Sequence, residues 1–150
     1  MTFKRPVWWG VLLGLVLVAG LNYFAFEYYL YWRWWWFDLI VHLIAGATVA
    51  TAVLSFYFDI HKVYPKFLIV MLIAVGFSFF IGGLWELFEF GAYKIWPGYP
   101  VFKTLETLQV GWLDTVTDLF MDTVGGLVAG LAFWYTPFNI YKQPAKNEKH

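Results

Sequence analysis

The chain has 150 residues, of which 61% are hydrophobic, 24% aromatic and only 13% charged, with a mean hydropathy of +0.63. A soluble domain of this size is roughly 45–50% apolar and about 25% charged, so composition places the chain in the membrane class, with length for one compact unit and no second domain. Ten Lys and Arg against ten Asp and Glu give no electrostatic footprint for nucleic acid, and the absence of cysteine excludes disulfides and thiolate metal sites.

Four hydrophobic segments follow in chain order: about 7–26, 37–58, 67–90 and 112–135. Each reaches roughly the 20 residues that a helix needs to cross ~30 Å of hydrocarbon. None alternates as a strand would, and lipid admits only helices or closed barrels. The expected fold is therefore all-α: a polytopic four-transmembrane-helix bundle over 1–136 and a polar cytoplasmic tail over 137–150. The first segment follows Lys4 and Arg5 but runs into bulky aromatics without a small-residue cleavage site, so it reads as a retained helix.

Between the first two segments lies YWRWWWF (31–37), which with Trp96 predicts an aromatic belt at one interface. The longest connection, 91–111, is broken by Pro97 and Pro100, and its KTLETLQ portion (103–109) reads as a short interfacial helix. Lys4, Arg5, Lys62, Lys66, Lys142, Lys146 and Lys149 flank one side, against Arg33, Lys94 and Lys103 on the other. By the positive-inside rule both termini are cytoplasmic, in the cell membrane.

The segments carry ionisable residues in register. Asp38 and His42 open the second, Glu86 and Glu89 close the third, and Asp114, Asp118 and Asp122 descend the fourth. Spacings of three and four align side chains on one helix face. With alternating helix directions, all three sets fall toward the outer end, so six carboxylates and one imidazole meet at similar depth. An isolated charge at a helix centre costs about 2.5–3.5 kcal/mol. The deeper groups must face the bundle interior, protonated, mutually bonded or holding a cation.

An oxygen-rich set with one nitrogen suits Mg²⁺, Mn²⁺, Ca²⁺ or Zn²⁺. A di-iron centre would need Glu-x-x-His motifs, whereas Glu86 is followed by Glu89, His61 lies in a loop and His150 in the tail. Other polar residues in the segments (Thr48, Thr51, Ser55 and Ser78) form no acidic path to the inner side, which favours a pocket over a channel. Gly126 and Gly130, and Gly10 and Gly14, have the spacing of close helix packing.

FDLIVHLIAG (37–46), WELFEF (85–90) and QVGWLDTVTDLFMDTVGGLVAG (109–130) resemble three motifs of the uncharacterised YjdF-type integral membrane proteins. A more distant likeness is to the VanZ-like family, which has a similar order of motifs. The resemblance covers 37–130 and implies a shared polar site at Asp38, His42, Glu86, Glu89, Asp114, Asp118 and Asp122. Asp122 stands where VanZ-like proteins tend to have Asn, and Glu89 replaces a frequent Gln, so both departures add negative charge. Neither family brings an activity with it.

The leading expectation is a metal-dependent hydrolase or transferase acting on a membrane lipid or lipid-linked substrate at the outer leaflet. His42, Glu86, Asp118, Asp122 and Asp38 form its ligand set, and Glu89 or Asp114 is the general base on water activated by the cation. No Ser or Cys nucleophile with a neighbouring base is evident. Two alternatives stay open: an ion-binding or transport module assembled as a homo-oligomer, and a structural or assembly protein whose polar cluster sets helix register.

Overall fold

The computed structural model describes residues 6–61, 66–95 and 111–135. Its regular structure is entirely helical: α1 (Pro6–Glu27), α2 (Leu30–Arg33), α3 (Phe37–His61), α4 (Phe67–Ile95) and α5 (Trp112–Tyr135). The spans Val7–Glu27, Phe37–Ile60, Phe67–Ala92 and Trp112–Tyr135 are long and apolar enough to cross a membrane. The KTLETLQ segment, Trp96, the tail from 137, and Lys4, Arg5, Lys62, Lys103, Lys142, Lys146 and Lys149 lie outside the described residues.

These helices turn large apolar side chains outward, among them Leu13 on α1 and Leu68, Leu72 and Leu87 on α4. Such surfaces match hydrocarbon rather than water, and a helix satisfies its own backbone there. α4 continues five residues past the hydrophobic run, because falling hydropathy does not itself break intrahelical bonds. Its 29 residues span about 43 Å at 1.5 Å per residue. Near its end the Lys94 amine lies 5.5 Å from the Phe90 ring centre, a cation–π distance.

The one-turn helix α2 is not foreseen by hydropathy. It follows Tyr29, whose φ of 56° makes it the one non-glycine residue with positive φ among those described. This left-handed residue reverses the chain out of α1 and delivers it to α3. The Tyr31 side chain thereby turns inward and is buried with Ala25, Phe37 and Val41. Trp34, Trp35 and Trp36 stay exposed, as an interfacial belt requires.

Helices α3, α4 and α5 pack on one another, while α1 packs mainly along α3. Phe58 stacks on Phe133 at 5.6 Å and His42 meets Asp122, so α3 and α5 run parallel. α4 opposes α5, with Phe67 against Trp134 and Thr115 against Glu86. α1 opposes α3, since the Trp8 indole donates to Asp59 Oδ2 at 3.3 Å. Residues near both ends of the described chain therefore share one end of the bundle, and Asp38, His42, Glu86 and Asp122 meet toward the other.

The end that holds Trp8 and Asp59 is filled by Ala50, Leu54, Phe58, Val70, Ala74, Ala129 and Phe133. Backbone contact between α3 and α5 depends on Gly46 and Gly125: a Cβ on the first would strike the Asp122 carbonyl, and one on the second the Leu43 carbonyl. Gly126 and Gly130 act as their spacing predicts, facing Ser78, Ala74 and Met71 of α4. Of the α1 pair only Gly14 does so, against Thr48; Gly10 has nothing within 4 Å of a Cβ position.

Candidate metal centre

His42 lies five residues into α3 and Asp122 ten into α5, which sets them about 8 and 15 Å from the helix starts. Their side chains meet, with Nδ1 of His42 and Oδ2 of Asp122 3.1 Å apart. An ionised carboxylate only accepts, so with Asp122 ionised the Nδ1 proton is donated to it and Nε2 points the other way. Facing Nε2 are Asp38 Oδ1 at 3.8 Å and Glu86 Oε1 at 4.0 Å. Asp38 is one turn above on the same helix, and Glu86 reaches across from α4.

Asp118, one turn above Asp122, completes the group and is only 1% exposed. One donor atom from each of Asp38, His42 and Asp118 lies within 4.8 Å of the other two. Ligands bound to one ion at 2.0–2.5 Å can stand at most about 4–5 Å apart, twice the bond length. The trio therefore has the dimensions of a single-ion site, and this buried Asp/His cluster could hold a metal.

Two oxygens bear on that fit, one in the trio and one on Glu86, which stands near His42 but outside the trio. Asp118 Oδ1 and Glu86 Oε1 are buried without a hydrogen-bond partner. The Glu86 side chain is 10% exposed, and its other oxygen accepts the Thr115 hydroxyl at 2.8 Å. A buried polar atom without a partner costs roughly 1–3 kcal/mol, and more when charged. Two of them beside one imidazole are what a cation would satisfy.

Residues 3–137 match the family described as predicted membrane protein, DUF2238. The chain belongs to the DUF2238 family. No curated protein and no solved structure matches it. The sequence likeness to YjdF-type proteins is consistent with this membership, whereas a VanZ-like relationship is not shown by it.

In this DUF2238 chain the other two predicted acids stand at the margin of the group. Glu89 accepts the Trp85 indole N–H at 3.0 Å and lines a cavity of about 140 Å³, together with Asp38, His42 and Asp122. Asp114, in the first turn of α5, is half-buried, and its carbonyl accepts the Thr117 hydroxyl at 2.8 Å.

Three contributors to the DUF2238 site are absent from the sequence reading. Gly82 makes room for Asp122, whose Oδ2 occupies the space a Cβ would take. Asn22 and Tyr31 line the same cavity, where the Tyr31 hydroxyl donates to Asn22 Oδ1 at 2.7 Å. Burial, then the charge of Asp38, raises the Tyr31 pKa well above the ordinary phenol value, so this hydroxyl keeps its proton. Asn22 had a signal of its own, as the one strongly polar residue within the first apolar run; Tyr31 was hidden among interfacial aromatics.

Proposed function

We propose that this DUF2238 protein is a membrane-embedded metalloenzyme whose centre binds one divalent cation and hydrolyses or transfers an ester-linked group of a membrane lipid. The observation that carries this reading is the pair of buried, unbonded carboxylate oxygens, on Asp118 and Glu86, beside His42 and Asp38. Asp38, His42 Nε2, Asp118 and Glu86 would hold the ion, which when bound supplies Lewis acidity and lowers the pKa of water. Asp122 orients His42 through Nδ1, an arrangement that fixes the tautomer and raises ligand basicity. One nitrogen among several carboxylate oxygens suits Mg²⁺, Mn²⁺, Ca²⁺ or Zn²⁺.

Glu89 and Asp114, at the margin, are the proton acceptors. In hydrolysis, water gives its oxygen to the acyl or phosphoryl centre and one proton to Glu89 or Asp114. The ester bond to the leaving oxygen breaks, and the same acid returns the proton to the departing alcohol. The basic residues at 4, 5, 62, 66, 142, 146 and 149 support an orientation with both termini cytoplasmic and the centre toward the outer leaflet.

A pocket rather than an ion path is supported by the other half of the bundle. Its hydroxyls are taken up by backbone carbonyls: Thr48 by Ile44, Thr51 by Ala47, Ser55 by Thr51 and Ser78 by Gly46. Beyond them the buried core is an apolar cluster around Leu54, Phe58 and Phe133.

Elemental analysis of chelator-free, detergent-purified protein tests the proposal. Wild type carries near-stoichiometric divalent metal, and Asp118→Asn and His42→Ala lose most of it. Metal far below one ion per chain in wild type sinks the reading, and full retention by Asp118→Asn removes α5 from the ligand set.

A further inference from the structure

The cavity beside the centre has an unusual wall. Val18, Asn22 and Phe26 line it from α1, and Ile81, Trp85 and Glu89 from α4, two helices that make no substantial contact with each other among the described residues. α3 forms its floor, from Asp38 to Val49, a rise of about 16 Å. A gap between two helices that do not pack on each other lies along the side of the bundle, the side that lipid would face. Its volume, about 140 Å³, is close to that of an engineered ~150 Å³ protein cavity that takes up benzene.

The gap is polarised along its length. Asp38, Glu89, His42 and Asp122 stand toward one end, with Asn22 and Tyr31 on the facing wall. Toward the other end lie Val18, Ala45 and Val49, and the Ser78 hydroxyl there is committed to the Gly46 carbonyl at 2.8 Å. A molecule filling it must be polar at the end of the acidic cluster and aliphatic toward the bilayer centre, which is how a lipid lies in one leaflet.

Charge selects the head group. Three carboxylates line this end, Asp38, Glu89 and Asp122, and His42 is the basic side chain among the lining residues. The three lining carboxylates balance a divalent cation and an imidazolium, so the site offers no net attraction to an anionic head. A zwitterionic head has a phosphate for the cation and an ammonium for Glu89 or Asp38.

We propose that the cleft between α1 and α4 admits an amine-bearing phospholipid sideways from the bilayer, seating its head group at the acidic cluster and the first carbons of one chain between Val18, Ala45 and Ile81. This rests on the reading of the cluster as a reaction site and names the substrate class for it.

The test is photolabelling of detergent-purified protein with an ether-linked phosphatidylethanolamine that carries a diazirine near the glycerol end of one chain. An otherwise identical phosphatidylglycerol is the second probe, and metal content is measured on the same samples. The amine probe tags peptides containing Val18–Phe26 and Ser78–Trp85, and Val18→Trp or Ala45→Leu each lowers that tagging about tenfold. Leu72→Trp, on the lipid-facing side of α4, leaves it unchanged, and Glu89→Gln erodes the preference for the amine probe. Tagging insensitive to both cleft-filling variants, or equal tagging by the two probes, overturns the proposal. Metal-replete protein without cleft tagging refutes this inference and spares the metal reading. Cleft tagging in protein devoid of metal upholds the lipid site and refutes the metal reading.

Discussion

Gly82 and Gly83 are neighbours on α4, and replacing each with alanine has opposite consequences. A Cβ on Gly83 meets only Leu119 Cδ2, at an ordinary 3.9 Å, so Gly83→Ala gains the helix-interior advantage of alanine, about 0.8–1.0 kcal/mol. A Cβ on Gly82 collides with Asp122 Oδ2 and lies 2.9 Å from its Cγ. Relief requires the carboxylate to withdraw by about 1 Å, which turns its 3.1 Å contact with His42 into no hydrogen bond at all. A hydrogen bond to a charged group contributes about 1.5–3 kcal/mol, and overpacking costs a further ~1–3 kcal/mol. Set against the alanine gain of about 1 kcal/mol, Gly82→Ala should lose about 2 kcal/mol or more. Thermal unfolding in detergent, followed by fluorescence-detected size exclusion, ranks the two variants directly, and Mn²⁺ titration of each reports on the centre. If Gly82→Ala matches Gly83→Ala in midpoint and in Mn²⁺ affinity, the placement of Asp122 against α4 is wrong.

Asp122→Ala leaves His42 without its orienting partner and should weaken divalent-metal affinity by about 10–100-fold, while Thr123→Val on the same helix does not, as competition titration against a chelator would show. Ser78→Ala removes the 2.8 Å bond to the Gly46 carbonyl and should cost about 1 kcal/mol of thermal stability; Gly126→Leu, whose side chain would start 2.5 Å from Ser78 Oγ, should cost several times more. The Tyr31 pKa is raised by burial, so the folded state holds this proton more tightly than the unfolded state. Its contribution is therefore constant below about pH 10, the unfolded value, and declines above it. Tyr31→Phe should lose about 0.5–1.5 kcal/mol at neutral pH and show a shallower alkaline decline than wild type in a pH series of melting curves.

The helices were legible because membrane insertion is a coarse filter: a long apolar run without alternation has one solution. Their ends were less so, since α4 passes Phe90 to Ile95 and α3 passes Phe58 to His61 on intrahelical bonds that hydropathy does not sense. The convergence of Asp38, His42, Glu86, Asp118 and Asp122 followed from spacing combined with alternating direction, and those five are found together. Which carboxylate bonds which imidazole nitrogen was not legible. It depends on the axial offset between α3 and α5, whose close approach at Gly46 and Gly125 no spacing rule gives. Gly82 was equally hidden, because a glycine that clears space for a side chain on another helix looks in sequence like any other small residue. Tyr31 escaped because its inward turn depends on the left-handed residue at Tyr29, two positions before it.

His42 and Asp122 are separated by 80 residues, and that interval has a meaning in time. At a synthesis rate of about 5–20 residues per second, His42 leaves the ribosome some 4–16 s before the carboxylate that completes it. Through that interval Asp38 and His42, joined part-way by Glu86, lack the partners that α5 brings. The last span to emerge is also the least apolar of the four, and it carries three aspartates. Its entry is favoured by a waiting polar groove more than by lipid. A chain that ends before residue 112 has Asp38, His42 and Glu86 but neither of the aspartates that complete the cluster.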